Sequence, residues 1–186
     1  MKTTLIMPTL IGRCMEPVST SLALSIAGVR LLLKSYDAYV GRKIMETDQA
    51  VCQEVRRRVT AILEETTMNH ERAHRAKDRV SRREYERLMD LCNGFLEDTR
   101  WSITRTQSTG HPGLAKLGKK DVHVLVEHDL QVLQSLDSCS SSTSGLSYDA
   151  GSGSMDEKIS DFSGDFGRVK SLFRERNTIF DGIARR

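Results

Sequence analysis

The chain has 186 residues, enough for one compact domain with an appendage but hardly for two full domains. With 38% apolar and 28% charged residues it is not a wholly disordered chain, and a net charge of +3 is too small to demand a polyanionic partner. Aromatic residues make up only 5%, so the core has to be filled by Leu, Val, Ile, Met and Ala, which suits packed helices better than a sandwich of sheets.

Residues 1–16 form an N-terminal segment whose apolar run, Leu5 to Ile11, is broken by Pro8 and followed by Arg13, too short for a secretory signal. Val18 to Leu33 is a largely apolar stretch interrupted by Arg30, short of the roughly 20 residues a bilayer span needs. It reads as a buried or interfacial helix. Pro17 suits a first helical turn, and Val18, Leu22, Ile26, Val29, Leu33, Tyr36, Val40 and Ile44 recur at steps of three or four.

Between Gly41 and Gly94 there is neither glycine nor proline. Val51, Val55, Val59, Ile62 and Thr66 continue one stripe, while Tyr85, Leu88, Cys92 and Phe95 supply another. The polar stretch between them predicts a helical hairpin with a turn near Thr66 to Asn69. Ser81 to Glu84 has capping-box spacing, which predicts a fresh helix start at Ser81. One long protruding helix is the alternative.

Trp101 to Lys120 carries Gly110, Pro112, Gly113 and Gly118 and no acidic residue, and reads as a basic loop. Asp121 is placed to cap the helix that Val122, Val126, Leu130 and Leu133 mark out, although Val122 to Val126 alone would suit a short strand. Residues 138–154 are Ser/Gly-rich and predict a flexible linker. Gly151 to Ser154 followed by Met155 has the look of an engineered join between two polypeptides. The tail, 155–186, sets Phe162, Phe166, Val169, Phe173 and Phe180 near helical spacing and is basic from Arg168 onward.

The expected fold is therefore all-α: a helical bundle or long antiparallel hairpin over 17–137, then the linker and a C-terminal amphipathic helix. Cys14, Cys52, Cys92 and Cys139 form no CxxC pair, so neither a disulfide framework nor a zinc knuckle is indicated. A reducing, cytoplasmic setting is expected, with peripheral membrane association as a variant of it.

Three functional readings follow. The first is a non-enzymatic interaction or assembly subunit, a bundle or coiled coil with no cofactor, whose helix faces bind partner helices including the C-terminal segment, with a protein partner or a second copy expected. Its contact residues would be Phe162, Phe166, Val169, Phe173 and Phe180. The second rests on His70-Glu71-Arg72-Ala73-His74, which resembles the HExxH motif of the zincin metalloproteases. The resemblance implies His70 and His74 as zinc ligands and Glu71 as the base acting on the metal-bound water, with Glu97 as a third ligand downstream. The five-residue match carries Arg72 within it and polar flanks, and mixed charge is more often a solvated helix face. His74 with Lys77 also resembles the phosphorelay histidine of phosphotransfer bundles, although Asp78 stands where a small residue is usual.

The third reading is nucleic-acid or anionic-membrane binding through the basic loop and tail. Arg100, Trp101, Arg105, Lys116, Lys119 and Lys120 are its candidates. The run Arg72, Arg75, Lys77, Arg79, Arg82, Arg83 and Arg87 alternates with acids and reads primarily as a solvated face.

Overall fold

A computed structural model describes residues 17–39, 43–108, 117–149 and 155–184. They fold into an all-α bundle of α1 (Pro17–Leu32), α2 (Ile44–Arg75), α3 (Arg79–Ser108), α4 (Lys119–Ser142) and α5 (Met155–Ala184), with a 3-10 turn over Thr143–Leu146. α2 and α3 form a long hairpin, α5 packs on α3 and α4, and α1 lies on α4. No helix among the described residues is long and apolar enough to cross a membrane.

The first apolar stripe is shorter than its periodicity suggests. α1 stops at Leu32, and Tyr36 and Tyr39 are buried from the connection to α2. Ala38 and Tyr39 both take φ of 57°, a left-handed conformation that cannot continue a right-handed helix. Val40 lies outside the described residues, and Ile44 opens α2 instead of ending α1.

The hairpin is present, but its turn is at Ala76 to Asp78 and not near Thr66 to Asn69. Thr66, Asn69 and Ala73 are buried and carry the stripe of α2 onward at helical spacing. The Thr66 and Thr67 hydroxyls donate back to the carbonyls of Ile62 and Leu63, so neither competes with the helix. The new helix begins before Ser81: Asp78 accepts from the backbone N–H of Val80 and Ser81 and from the Ser81 hydroxyl.

Trp101 to Ser108 belongs to α3 and not to a loop, since no helix breaker occurs before Gly110. The Ser102 and Thr104 hydroxyls donate to the carbonyls of Asp98 and Arg100. In α4 the cap position is Gly118, with Asp121 inside the first turn, and Val122 to Val126 are helical. The helix runs through Ser142, so the Ser-rich stretch predicted as linker is ordered from 138 to 149, with Ser138, Ser141 and Ser142 each donating to the carbonyl four residues back. Residues 150–154, where the engineered join was read, lie outside the described residues.

α5 adds Phe162, Phe166, Phe173 and Phe180 to the aromatic part of the core. Phe95 of α3 sits 5.5 Å, ring centre to ring centre, from both Phe166 and Phe173, while Phe162 stacks on Phe166 at 5.9 Å.

Candidate functional site

The residues of the HExxH motif lie near the C-terminal end of α2. His70 is half-buried with its Nε2 3.3 Å from Glu86 of α3, while Glu71 and His74 are exposed. No group of three His, Cys, Asp or Glu side chains close enough to hold a metal ion is found among the described residues. Glu97 is three turns further along α3 and stands near Arg100 at 3.8 Å.

The candidates of the basic loop are dispersed. Arg100 and Trp101 lie on α3, the indole 73% exposed, and Lys119 and Lys120 are exposed in the first turn of α4. The side chain of Arg105 and the whole of Lys116 lie outside what the structure describes.

The tail's contact residues are covered by the chain itself. Phe162, Phe166, Val169, Phe173 and Phe180 all belong to the common core, where α5 packs on α3 and α4. The tail's cations are similarly engaged. Arg174 makes two bonds to Asp98, Lys170 approaches the same carboxylate at 3.8 Å, and Arg168 pairs with Asp165.

The fourth of these cations, Arg176, holds a polar cluster together. Its side chain is fully buried. Nε donates to Asp129 of α4 at 2.8 Å, Nη1 to Asp48 of α2 and Nη2 to the Tyr39 hydroxyl. The other Asp129 oxygen accepts from the hydroxyls of Tyr36 at 2.8 Å and Tyr39 at 2.7 Å. Asn177 extends the cluster to the Ser102 hydroxyl at 2.8 Å, and Phe180 places its ring 5.4 Å from the guanidinium.

Burial pushes the Asp129 carboxyl above its usual range, against the lowering effect of Arg176 and of the two tyrosine hydroxyls. It also pushes the Tyr36 and Tyr39 hydroxyls well above 10.0, keeping them donors. The cluster ties five parts of the chain together: the connection after α1, α2, α3, α4 and α5.

Periodicity does mark these residues. Val126, Asp129, Leu133 and Leu136 step by three and four, as do Phe166, Val169, Phe173, Arg176 and Phe180. A charged residue in register with an apolar stripe is a candidate for a paired, buried charge. Because Asp129 and Arg176 are polar, a stripe traced through apolar residues alone skips them.

Two other features complete the chemistry. A groove of about 570 Å³ runs between α4 and α5, floored by Cys139, Phe162, Val169 and Leu172 and rimmed by Ser135, Ser138, Lys158 and Arg168. Burial raises the Cys139 thiol to about 11 and the Cys92 thiol to about 12, so neither is a thiolate nucleophile at neutral pH.

At the tip of the α2–α3 hairpin, by contrast, charge is exposed. Arg72, His74, Arg75, Lys77, Arg79 and Arg83 all face solvent. Compared with known protein families, curated proteins and solved structures, the chain matches none.

Proposed function

We propose that the chain is a non-enzymatic helical interaction module, an adaptor or assembly subunit, that receives a helix of another protein or of a second copy along the outward face of α1. The observation that carries this reading is the pair Leu24 and Leu31, 69% and 85% exposed. They lie two turns apart on one helix face, with Thr20 and Ala27 exposed between and beside them. Burying a leucine fully is worth about 1.5–3 kcal/mol, so two anchors at this spacing supply the apolar centre of a helix-in-groove contact.

Support also comes from where the reactive groups are. The buried acids and tyrosines are bonded to one another around Arg176, and the buried thiols of Cys92 and Cys139 are held neutral. These engagements support the exposed apolar face of α1 as the contact surface.

Sedimentation velocity on the full chain and a Leu24→Glu/Leu31→Glu variant tests the reading, together with affinity capture of cellular proteins by each. The wild type should self-associate or retain a partner, and the variant should do neither while keeping its helical circular dichroism. Identical sedimentation and identical capture by the two proteins would sink it.

A further inference from the structure

The turn between α2 and α3 concentrates positive charge. From Arg72 to Arg83 the chain carries Arg72, Arg75, Lys77, Arg79, Arg82 and Arg83 against a single carboxylate, Asp78. That carboxylate is already engaged as the cap of α3, accepting from Val80, Ser81 and, at 3.3 Å, the Tyr148 hydroxyl. Arg82 faces Glu86 at 3.4 Å. Arg72 donates to the Asn69 side chain, and Arg75 reaches only the Glu71 carbonyl. Arg75, Lys77, Arg79 and Arg83 have no carboxylate partner among the described residues.

The tip that carries these cations is held in place from beneath. The Tyr85 hydroxyl donates to the Leu146 carbonyl at 2.6 Å, and the Tyr148 N–H donates to the Asn69 side chain at 3.1 Å. Ala73, Tyr85 and Ser81 are buried where the segment after α4 crosses the hairpin. The cations therefore project from an ordered apex. Val80, 60% exposed, stands among them.

We infer that this apex is a binding site for an anionic membrane surface, a function independent of the α1 face. The blunt shape favours a plane over a nucleic-acid groove. Two packed helices, with axes about 8–10 Å apart and diameters near 10 Å, are together wider than the roughly 12 Å major groove that admits one helix. Exposed Arg and Lys on both helix ends meet lipid phosphates and carboxylates, while Val80 enters the headgroup layer beside them. The tip exposes no tryptophan or tyrosine ring on which a nucleic-acid base could stack, Tyr85 and Tyr148 being buried and half-buried beneath it.

The test is co-sedimentation of the full chain with vesicles of phosphatidylcholine alone and of equal parts phosphatidylcholine and phosphatidylserine. The wild type should bind the mixed vesicles only, and less at high salt. Arg75→Glu/Arg79→Glu/Arg83→Glu should lower that partitioning roughly a hundredfold. Arg56→Glu/Lys119→Glu/Lys120→Glu, with the same change in net charge elsewhere, should keep most of it.

Equal losses in the two triple variants would reduce the effect to net charge and overturn the site. So would a wild type that ignores both vesicles, or one that shifts duplex DNA with the same dependence on Arg75, Arg79 and Arg83. Should the charge reversals disturb folding, Val80→Asp and the triple Arg→Gln variant give a second reading. Each is expected to lower binding to the mixed vesicles with helical circular dichroism intact, and unchanged binding by both folded proteins rejects the site.

Discussion

Arg176 and the arginines of the α2–α3 turn are the same side chain in opposite surroundings. Arg176 is fully buried, with Asp48, Asp129 and Tyr39 around it, whereas Arg75, Arg79 and Arg83 are exposed and pair with no carboxylate among the described residues. The difference teaches that charge counted along a sequence says little until its partners are placed. The tail, basic in sequence, has its Arg168, Lys170, Arg174 and Arg176 engaged with aspartates of the bundle. The hairpin, whose charges alternate in sequence, presents at its apex Arg75, Lys77, Arg79 and Arg83, which pair with no carboxylate among the described residues.

The sharpest way to break this contrast is to remove one arginine from each side. Arg176→Leu strands Asp48 and Asp129 in the core and should cost about 3–5 kcal/mol in urea unfolding, as expected when one partner of a buried ion pair is deleted. Arg79→Gln should change stability by no more than about 0.5 kcal/mol. A loss below about 1 kcal/mol for Arg176→Leu would mean that water reaches the two carboxylates and that the cluster is not a buried one.

A second expectation concerns alkaline pH. Cys92 rises from 9.0 to about 12 and Tyr85 from 10.0 to about 12 on burial, and Tyr36 and Tyr39 rise too. Each group holds its proton more tightly folded than unfolded. The stability this represents is fully present below the unfolded values near 9 to 10 and is lost as pH climbs toward the folded ones. Unfolding monitored by circular dichroism at 222 nm should therefore become easier from about pH 9 upward, and increasingly so toward pH 12. Tyrosinate absorbance beyond that of the half-buried Tyr148 should appear with the loss of helix and not before it. More than one tyrosinate in a fully helical protein would show that the buried Tyr36, Tyr39 or Tyr85 is reachable by solvent.

The bundle itself was legible in the sequence because apolar residues at steps of three and four report helix faces directly. Helix ends were harder to read. The α2–α3 turn contains no glycine or proline, and Thr66 and Asn69, which are typical loop residues, are buried in α2 through bonds to Ile62 and Tyr148. The Ser-rich end of α4 was misleading for the same reason, since its hydroxyls bond back along the helix. The candidate sites were read from local motifs, and local spacing cannot bring Asp48, Asp129 and Arg176 together. Their register with the apolar stripes was the available clue.

A third, smaller expectation is that Asp78→Ala removes the cap of α3 and lowers stability by about 1 kcal/mol. Hydrogen bonds from Ser81 hold this carboxyl below its usual range. The stabilisation is present above the ordinary carboxylate range and fades as pH falls through the folded value, so the deficit of the variant should shrink in acid. A deficit that is constant across acid pH would assign the loss to packing against Tyr148 instead of to the cap.

The finest probe of the contrast is Lys77, the apex residue with φ of 59°. A left-handed backbone costs a lysine about 1 kcal/mol that glycine does not incur, partly offset by the greater freedom of glycine in the unfolded chain. Lys77→Gly should thus stabilise the hairpin by about 0.5 kcal/mol while removing one of the apex cations. Greater stability together with weaker partitioning onto the phosphatidylserine vesicles would show that the residue is suited to charge at the apex more than to the turn. Were the variant less stable instead, the lysine stem would have to pack against the turn, and the apex would belong, like Arg176, to the architecture of the bundle.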